Sequence, residues 1–310
     1  MACSQLKMVQ RNSRIGAALA LLILTLTFTA DVSLKGQDRS GIVRADRECR
    51  FQRSLYHGRN TGSQVVGTDA FLHVFLQFPQ NVRELSPIRL GEFIHALQCT
   101  IDHPAVQKII LLQQGKFEVT KELPELRDPD DKVQTRVINR RILYHDAVMA
   151  VNSLPHGSIA LITNADIYPG DGFDFPVIDA TLLPSTGIAL TRYEDPCTPF
   201  TKEAACDCRN YVGCHDSYIF RTPLSERLVE GNTTQFRFGG LWGGENVFIH
   251  TLKALGGLQL LNSCYFIRTH HVHCSNERAT QDPRNILIES GVPSSEAVVN
   301  PLIQLRLQSL

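Results

Sequence analysis

The sequence predicts an α/β protein, with a mainly parallel sheet that is flanked by helices. Strand-like and helix-like segments alternate from residue 65 onward. Apolar residues recur at helical spacing in two of these segments and run almost without interruption in three others. The composition suits a folded domain of this kind, because 43% of the 310 residues are hydrophobic and 20% are charged.

The elements follow one another closely along the chain. A first strand is predicted at 71–78, and the next helix carries four apolar residues on one face: Leu90, Phe93, Ile94 and Leu97. A buried strand at 108–112, a helix at 143–154 and a third strand at 159–163 complete the pattern. In open sheets of this type, ligands bind beyond the carboxyl ends of the strands. We therefore expect a functional site directly after Thr163.

The N-terminal region predicts a membrane anchor. Three basic residues precede an uncharged apolar run at 15–30, which is about as long as a signal peptide's core and shorter than the ~20 residues of a square bilayer crossing. The basic flank favours an uncleaved anchor, and Phe28 makes a poor cleavage context before Ala30. A cleaved signal peptide and a buried core helix are the alternatives. The expected organisation is a cytoplasmic tail at 1–14, a signal anchor at 15–34, a stem at 35–64 and one domain at 65–310.

The cysteines indicate an oxidising compartment, and the balance of charges disfavours one class of partner. Eight of the nine cysteines follow the apolar run, so we expect disulfides within the cluster at 197–214 and between Cys264 and Cys274. A zinc site in that cluster is the alternative, although its spacing lacks C-x-x-C pairs. Asn232 begins a glycosylation sequon. The 31 basic and 31 acidic side chains balance, which disfavours a nucleic-acid partner.

Four polar segments are candidates for a site. Asn164 and Asp166 leave the end of the predicted strand at 159–163, and Asp216 immediately precedes a strand-like run. Glu245 follows a glycine-rich turn and opens a predicted helix, where the backbone amides favour a carboxylate. The histidines of the last segment, His271 and His273, fall on the same side of an extended stretch and could face one ion.

The order of these segments resembles that of glycosyltransferases of the GT-A fold, which use nucleotide-sugar donors. The resemblance covers about residues 71–278 and rests on Asn-Ala-Asp-Ile, His-Asp-Ser-Tyr-Ile-Phe, Gly-Gly-Glu-Asn and His-Val-His-Cys-Ser-Asn-Glu-Arg. The segment 241–245 also resembles the Trp-Gly-Gly-Glu-Asp segment of β-1,4-galactosyltransferases. An anchored, luminal domain is usual for Golgi enzymes of this kind, so the resemblance implies a type II protein of the Golgi or ER membrane.

The resemblance also implies roles for particular residues. Asp166 would hold Mn²⁺ or Mg²⁺ against the donor's diphosphate, with His271 or His273 as a further metal ligand and with Asn164 beside them. Glu245 would be the catalytic base or an acceptor-binding carboxylate, and Asp216 would contact the acceptor. The diphosphate would also be bound by an arginine of the pair Arg140 and Arg141.

Two asparagines depart from the family's pattern. Asn164 and Asn246 stand where the family has aspartates. The implied function is a metal-dependent transfer of a sugar from a nucleotide-sugar to a glycan or glycoconjugate. The departures leave open a catalytically inactive, disulfide-stabilised glycan-binding module. A metallohydrolase built on the three histidines at 270, 271 and 273 is a third reading, which lacks the usual H-E-x-x-H spacing.

Overall fold

The computed structural model describes residues 49–51, 70–195, 215–230, 233–236, 238 and 244–275. The predicted tail and anchor, most of the predicted stem and the cysteine cluster at 197–214 lie outside these residues. Within the described ranges, no helix has the length and apolar character that a bilayer crossing needs. The anchor therefore stays a prediction.

Ten strands are described, and they form two sheets. They are β1 (Leu72–Leu76), β2 (Val106–Gln113), β3 (Val133–Val137), β4 (Ile159–Thr163), β5 (Ile167–Pro169), β6 (Thr186–Thr191), β7 (Tyr193–Glu194), β8 (His215–Arg221), β9 (Gln259–Leu261) and β10 (Thr269–His271). The main sheet has seven strands in the order β3-β2-β1-β4-β8-β6-β9, and the small sheet has the order β5-β10-β7. In the main sheet β8 alone runs antiparallel to its two neighbours, whereas the other pairs are parallel.

Helices cover both faces of the main sheet. The described α-helices are α1 (Pro87–Asp102), α2 (Val119–Glu122), α3 (Tyr144–Asn152), α4 (Phe175–Thr181) and α5 (Gly244–Ala254). Helix α1 begins after Ser86, whose hydroxyl accepts a hydrogen bond from the Arg89 amide at 3.1 Å. Helices α1 and α4 contribute to the apolar core on one face, and α3 and α5 contribute to the core on the other.

This architecture confirms the α/β fold class, with a Rossmann-like, mainly parallel sheet flanked by helices. The strand predicted at 159–163 has the observed bounds of β4, and the other predicted strands and helices lie within a few residues of β1, α1, β2 and α3. One local prediction is wrong: Asp216 does not precede its strand but is the second residue of β8. The antiparallel pairing of β4 with β8 places Thr163 opposite Ser217, so Asp216 lies beside the carboxyl end of β4.

The small sheet brings the C-terminal part of the domain against the residues that follow β4. Its middle strand, β10, pairs antiparallel with β5 and parallel with β7. Gly172 makes the close approach possible, because it has φ +87° and a Cβ there would lie 1.7 Å from the carbonyl oxygen of Phe266. The sheet thereby holds His271 opposite Ile167, one residue from Asp166.

A disulfide joins Cys49, in the predicted stem, to Cys99 on α1. This pairing was not predicted. The residues after Cys49 also pack on the domain, since Arg50 pairs with Asp195 at 3.0 Å and the Phe51 ring lies 4.7 Å from that of His103. Cys264 and Cys274 are both disulfide-bonded as well.

Removing this disulfide by replacing Cys49 and Cys99 with alanine is expected to lower the free energy of unfolding by about 4 kcal/mol, because the bond closes a loop of 50 residues. Urea denaturation of the variant and the parent measures the difference. An unchanged midpoint at an unchanged slope would show that the bond adds nothing to stability.

Candidate functional site

The site is built around Asp166, which lies between β4 and β5 and is buried. Its Oδ2 atom contacts Nη2 of Arg89 at 2.6 Å and Nε2 of His271 at 3.3 Å. Burial by itself would raise the pKa of Asp166, but the His271 and Arg89 partners outweigh burial and hold that pKa well below its ordinary value. Asp166 is therefore a carboxylate at neutral pH.

Asp166, His271 and His273 form a group that could hold a metal ion. Each residue offers one ligand atom, and the three atoms lie within 4.8 Å of one another. The two imidazole rings are stacked, with centroids 5.3 Å apart. One carboxylate oxygen with two imidazole nitrogens suits a divalent transition-metal ion. The sequence predicted one of the two histidines as a ligand, and the structure places both beside Asp166.

His271 is held between two carboxylates. Its Nδ1 atom lies 2.6 Å from Oε2 of Glu194 on β7, and its Nε2 atom faces Asp166. Burial would lower the pKa of His271, but the hydrogen bonds to the two carboxylates raise it to about 9. Burial by itself would raise the pKa of Glu194, but His271 and Arg192 outweigh burial and lower that pKa to about 2. Sequence reasoning missed Glu194, which gives no motif signal in the short strand β7.

Helix α1 contributes an arginine and a glutamate that sequence reasoning also missed. Arg89 donates to Asp166 and, through Nη1, to Oε2 of Glu92 at 2.6 Å. The buried Glu92 carboxylate accepts hydrogen bonds from the backbone amides of Cys274 and Ser275. Glu92 therefore fixes the segment that directly follows His273. The sequence gives one indication of these two residues: a glutamate follows an arginine by three positions at the start of an amphipathic helix.

Asp216 forms a second acidic centre with two partners. Its carboxylate pairs with Arg192, and its Oδ1 atom accepts a hydrogen bond from Nδ2 of Asn164 at 3.1 Å. Burial raises the pKa of Asp216 above its ordinary value, although the Arg192 guanidinium opposes that effect. Asn164 thus acts as a donor to Asp216, which an ionised aspartate at that position could not do.

Glu245 lies in the first turn of α5, as predicted. Burial, followed by the nearby charge of Asp216, raises the pKa of Glu245 to about 7, and Arg192 acts in the opposite direction. Burial raises the pKa of Tyr144 on α3 and of Tyr218 on β8 well above the ordinary value, and the Glu245 charge adds a smaller contribution to both. A carboxyl group with a pKa near neutrality suits an acid–base role.

The two arginines predicted to bind diphosphate lie after β3. Arg140 is exposed and forms two hydrogen bonds of 2.7 Å with Asp146, whose carboxylate also accepts from the Leu143 amide at the start of α3. Arg140 therefore stabilises the beginning of a helix, and Arg141 is exposed beside it. The structure does not bring either arginine into the group around Asp166, so diphosphate binding by this pair stays a prediction.

Comparisons with known proteins give low similarity. No protein-family model matches the chain, and no curated protein matches it. Among solved structures, GalNAc-T7 with UDP, GalNAc and Mn²⁺ is 14% identical with a TM-score of 0.44, and the alignment covers 72% of this chain and 46% of that protein. TarS 1-349 of S. aureus in complex with UDP-GlcNAc is 11% identical with a TM-score of 0.38, covering 67% and 60%.

HddC from Yersinia pseudotuberculosis is a further match among the solved structures. It is 16% identical with a TM-score of 0.30, and the alignment covers 52% of this chain and 79% of HddC. The chain spans about half of GalNAc-T7 and three fifths of the TarS fragment.

Proposed function

We propose that this protein is a GT-A-like glycosyltransferase that transfers a sugar from a nucleotide-sugar donor to a glycan or glycoconjugate acceptor. The observation that carries the proposal is the group of Asp166, His271 and His273, in which Asp166 follows the end of β4 and the two histidines come from the end of β10 and the residues after it. A second, separate acidic centre lies close by, at Asp216 and Glu245. An inverting sugar transfer uses both kinds of site, because negative charge develops on the leaving diphosphate while the acceptor hydroxyl loses a proton. A retaining transfer would use the ion without that base.

The first site suits a divalent ion such as Mn²⁺ or Mg²⁺. Asp166, His271 and His273 would hold the ion, and a bound ion would supply positive charge to the diphosphate of the donor. Arg89 contributes here without being a ligand, because its guanidinium favours the ionised form of Asp166. Mixed oxygen and nitrogen ligands favour Mn²⁺ over Mg²⁺, which prefers oxygen ligands.

The second site suits the acceptor. Glu245 is proposed to take the proton from the acceptor hydroxyl, for which a pKa of about 7 is well placed. Asp216 is proposed to accept a hydrogen bond from the acceptor and to be kept in place by Arg192 and Asn164. The pairing of Asn164 with Asp216 gives a physical reason for an asparagine where the family has an aspartate.

We also propose that the chain is a type II protein of the Golgi or ER membrane. The support is the apolar run at 15–30 with its basic N-terminal flank. Carbonate extraction of the expressed protein, together with N-terminal sequencing, tests the proposal. A soluble product that begins near Asp31 would refute an uncleaved anchor.

The enzymatic proposal is tested without knowledge of the acceptor. The purified full-length chain, in detergent, is incubated with Mn²⁺ and a panel of nucleotide-sugars, and release of nucleoside diphosphate is measured. We expect slow, EDTA-sensitive hydrolysis of one donor class, because water replaces the missing acceptor. Glycan-array binding by a chain that hydrolyses no donor would favour the inactive glycan-binding module instead.

A further inference from the structure

We propose that Glu194 is a positioning residue for the metal site: it fixes His271 so that Nε2 faces the ion, and its contact with Arg192 links this histidine to the acceptor centre at Asp216. The inference rests on the metal site of the proposed function and assigns a role to two residues, Glu194 and Arg192, outside the ligand group.

The backbone fixes the two partners relative to each other. Strands β7 and β10 are parallel, and their register places His271 opposite Glu194. The next residue, Asp195, donates its backbone amide to the carbonyl of His271 at 2.8 Å. On this framework the Glu194 Oε2 atom lies 2.6 Å from Nδ1 of His271, a short distance typical of a charge-assisted hydrogen bond.

The opposite edge of the same ring faces the ligand group. Nε2 of His271 lies 3.3 Å from Oδ2 of Asp166. Without an ion, Nε2 donates a proton to Asp166, and an ion that binds there would replace that proton. A carboxylate that accepts the Nδ1 proton of the imidazole then leaves the Nε2 lone pair to the ion. The Glu194 carboxylate therefore determines which nitrogen is available, and it also restricts rotation of the ring.

Arg192 fixes the Glu194 carboxylate in turn. Its Nε atom donates to Oε1 of Glu194 at 2.9 Å, so the two oxygens of Glu194 have separate partners. The Nη1 atom of Arg192 pairs with Asp216. A continuous set of polar contacts thus runs from Asp166 through His271, Glu194 and Arg192 to Asp216. These contacts fix the position of the metal site relative to the acceptor centre.

A purely stabilising ion pair is the competing explanation, because the Glu194 side chain is 45% exposed. Asp179 on α4 offers a matched control: its side chain is 50% exposed and pairs with Arg221 at 2.5 Å. Arg221 lies opposite Ile159 at the start of β4, and therefore at the other end of that strand from Asp166. Loss of either pair removes a surface contact, but only Glu194 contacts a candidate ligand.

The experiment measures Mn²⁺ binding to the full-length protein by electron paramagnetic resonance of the free ion. We expect Glu194→Ala to weaken Mn²⁺ affinity about 10–100-fold, the usual loss when a partner of a metal-bound histidine is removed. Glu194→Gln, which retains an acceptor oxygen, is expected to recover part of that affinity. Asp179→Ala is expected to bind like the parent, and thermal melting of each variant reports any change in stability separately.

A second measurement needs no substitution. In the parent labelled with ¹⁵N-histidine and loaded with diamagnetic Zn²⁺, we expect His271 to carry its proton on Nδ1 and to bind the ion through Nε2. If Nδ1 binds the ion, or if Glu194→Ala binds Mn²⁺ as tightly as the parent, the positioning role is overturned and the metal site survives. If the parent itself binds no Mn²⁺, both the inference and the metal site of the proposed function are overturned.

Discussion

Replacing Asp166 by alanine is expected to weaken Mn²⁺ binding by more than ~100-fold, beyond what the loss of an outer partner usually costs. Asp166 supplies the carboxylate of the ligand group, and the other two members are imidazoles. Asn164, two residues earlier, donates to Asp216 and does not provide a second carboxylate. Binding of nucleoside diphosphate in the presence of Mn²⁺ is expected to fall with the loss of the ion.

Calorimetric titration with Mn²⁺ and nucleoside diphosphate measures both effects. The variant leaves Arg89 and His271 close together and without their shared carboxylate, so a stability loss of several kcal/mol is expected in parallel. Titrations are therefore run well below the melting temperature, with Asp166→Asn as a variant of the same shape and Asp179→Ala as the control. Parent-like binding of ion and nucleotide by a folded Asp166→Asn would show that the metal site is misassigned.

Replacing Glu245 by glutamine is expected to lower the rate of transfer ~10²–10⁴-fold, the usual contribution of a general base. Donor and metal binding are expected to stay unchanged, because Glu245 is not a member of the ligand group around Asp166. A transfer assay combined with the same titrations separates the two roles. Equal loss of donor binding and transfer would contradict a role for Glu245 that is confined to the acceptor.

The pH dependence of the parent follows from the same group. The pKa of Glu245 is raised to about 7, so the base form is populated above that pH, and transfer is expected to fall about tenfold per pH unit below it. Burial has the largest effect on the pKa of Glu245, followed by the Asp216 charge, and Arg192 acts in the opposite direction. In Glu245→Gln this decrease of the transfer rate at low pH is expected to disappear.

The free energy of unfolding is expected to fall as pH rises, whereas the rate of transfer is expected to rise. A carboxyl group whose pKa is raised in the folded state favours folding while it is protonated, and that contribution is lost as pH rises from the ordinary value near 4.5 through about 7. Glutamine does not ionise, so Glu245→Gln is expected to be at least as stable as the parent at pH 8. A lower melting temperature at that pH would indicate a structural role for the Glu245 carboxylate.

The sequence predicted the parts of the fold that have a clear periodicity. Strand β4 is a continuous apolar run, and α1 shows four apolar residues on one face. The position of Asp166 after β4 followed from these elements together with the rule for the carboxyl ends of strands. The grouping of His271 and His273 followed from the alternation of side chains in an extended segment.

The remaining features depend on contacts between distant segments. Strand β7 has two residues, too few for any periodicity, and Glu194 becomes visible only when β10 pairs with it. Arg89 and Glu92 look like ordinary residues of an amphipathic helix until the segment after His273 is placed against them. Strand β8 begins with three polar residues that precede its apolar run, which explains why the sequence predicted Asp216 before the strand. The reversed direction of β8 was not encoded in that run either.

The small sheet also has a consequence for biosynthesis. Its strands begin at Ile167, Tyr193 and Thr269, so the candidate metal ligands come from segments that the ribosome releases far apart in time. All seven strands of the main sheet precede β10 in the chain. A nascent chain therefore exposes Asp166 before His271 and His273 have left the ribosome, and the candidate metal site is incomplete until these two histidines follow.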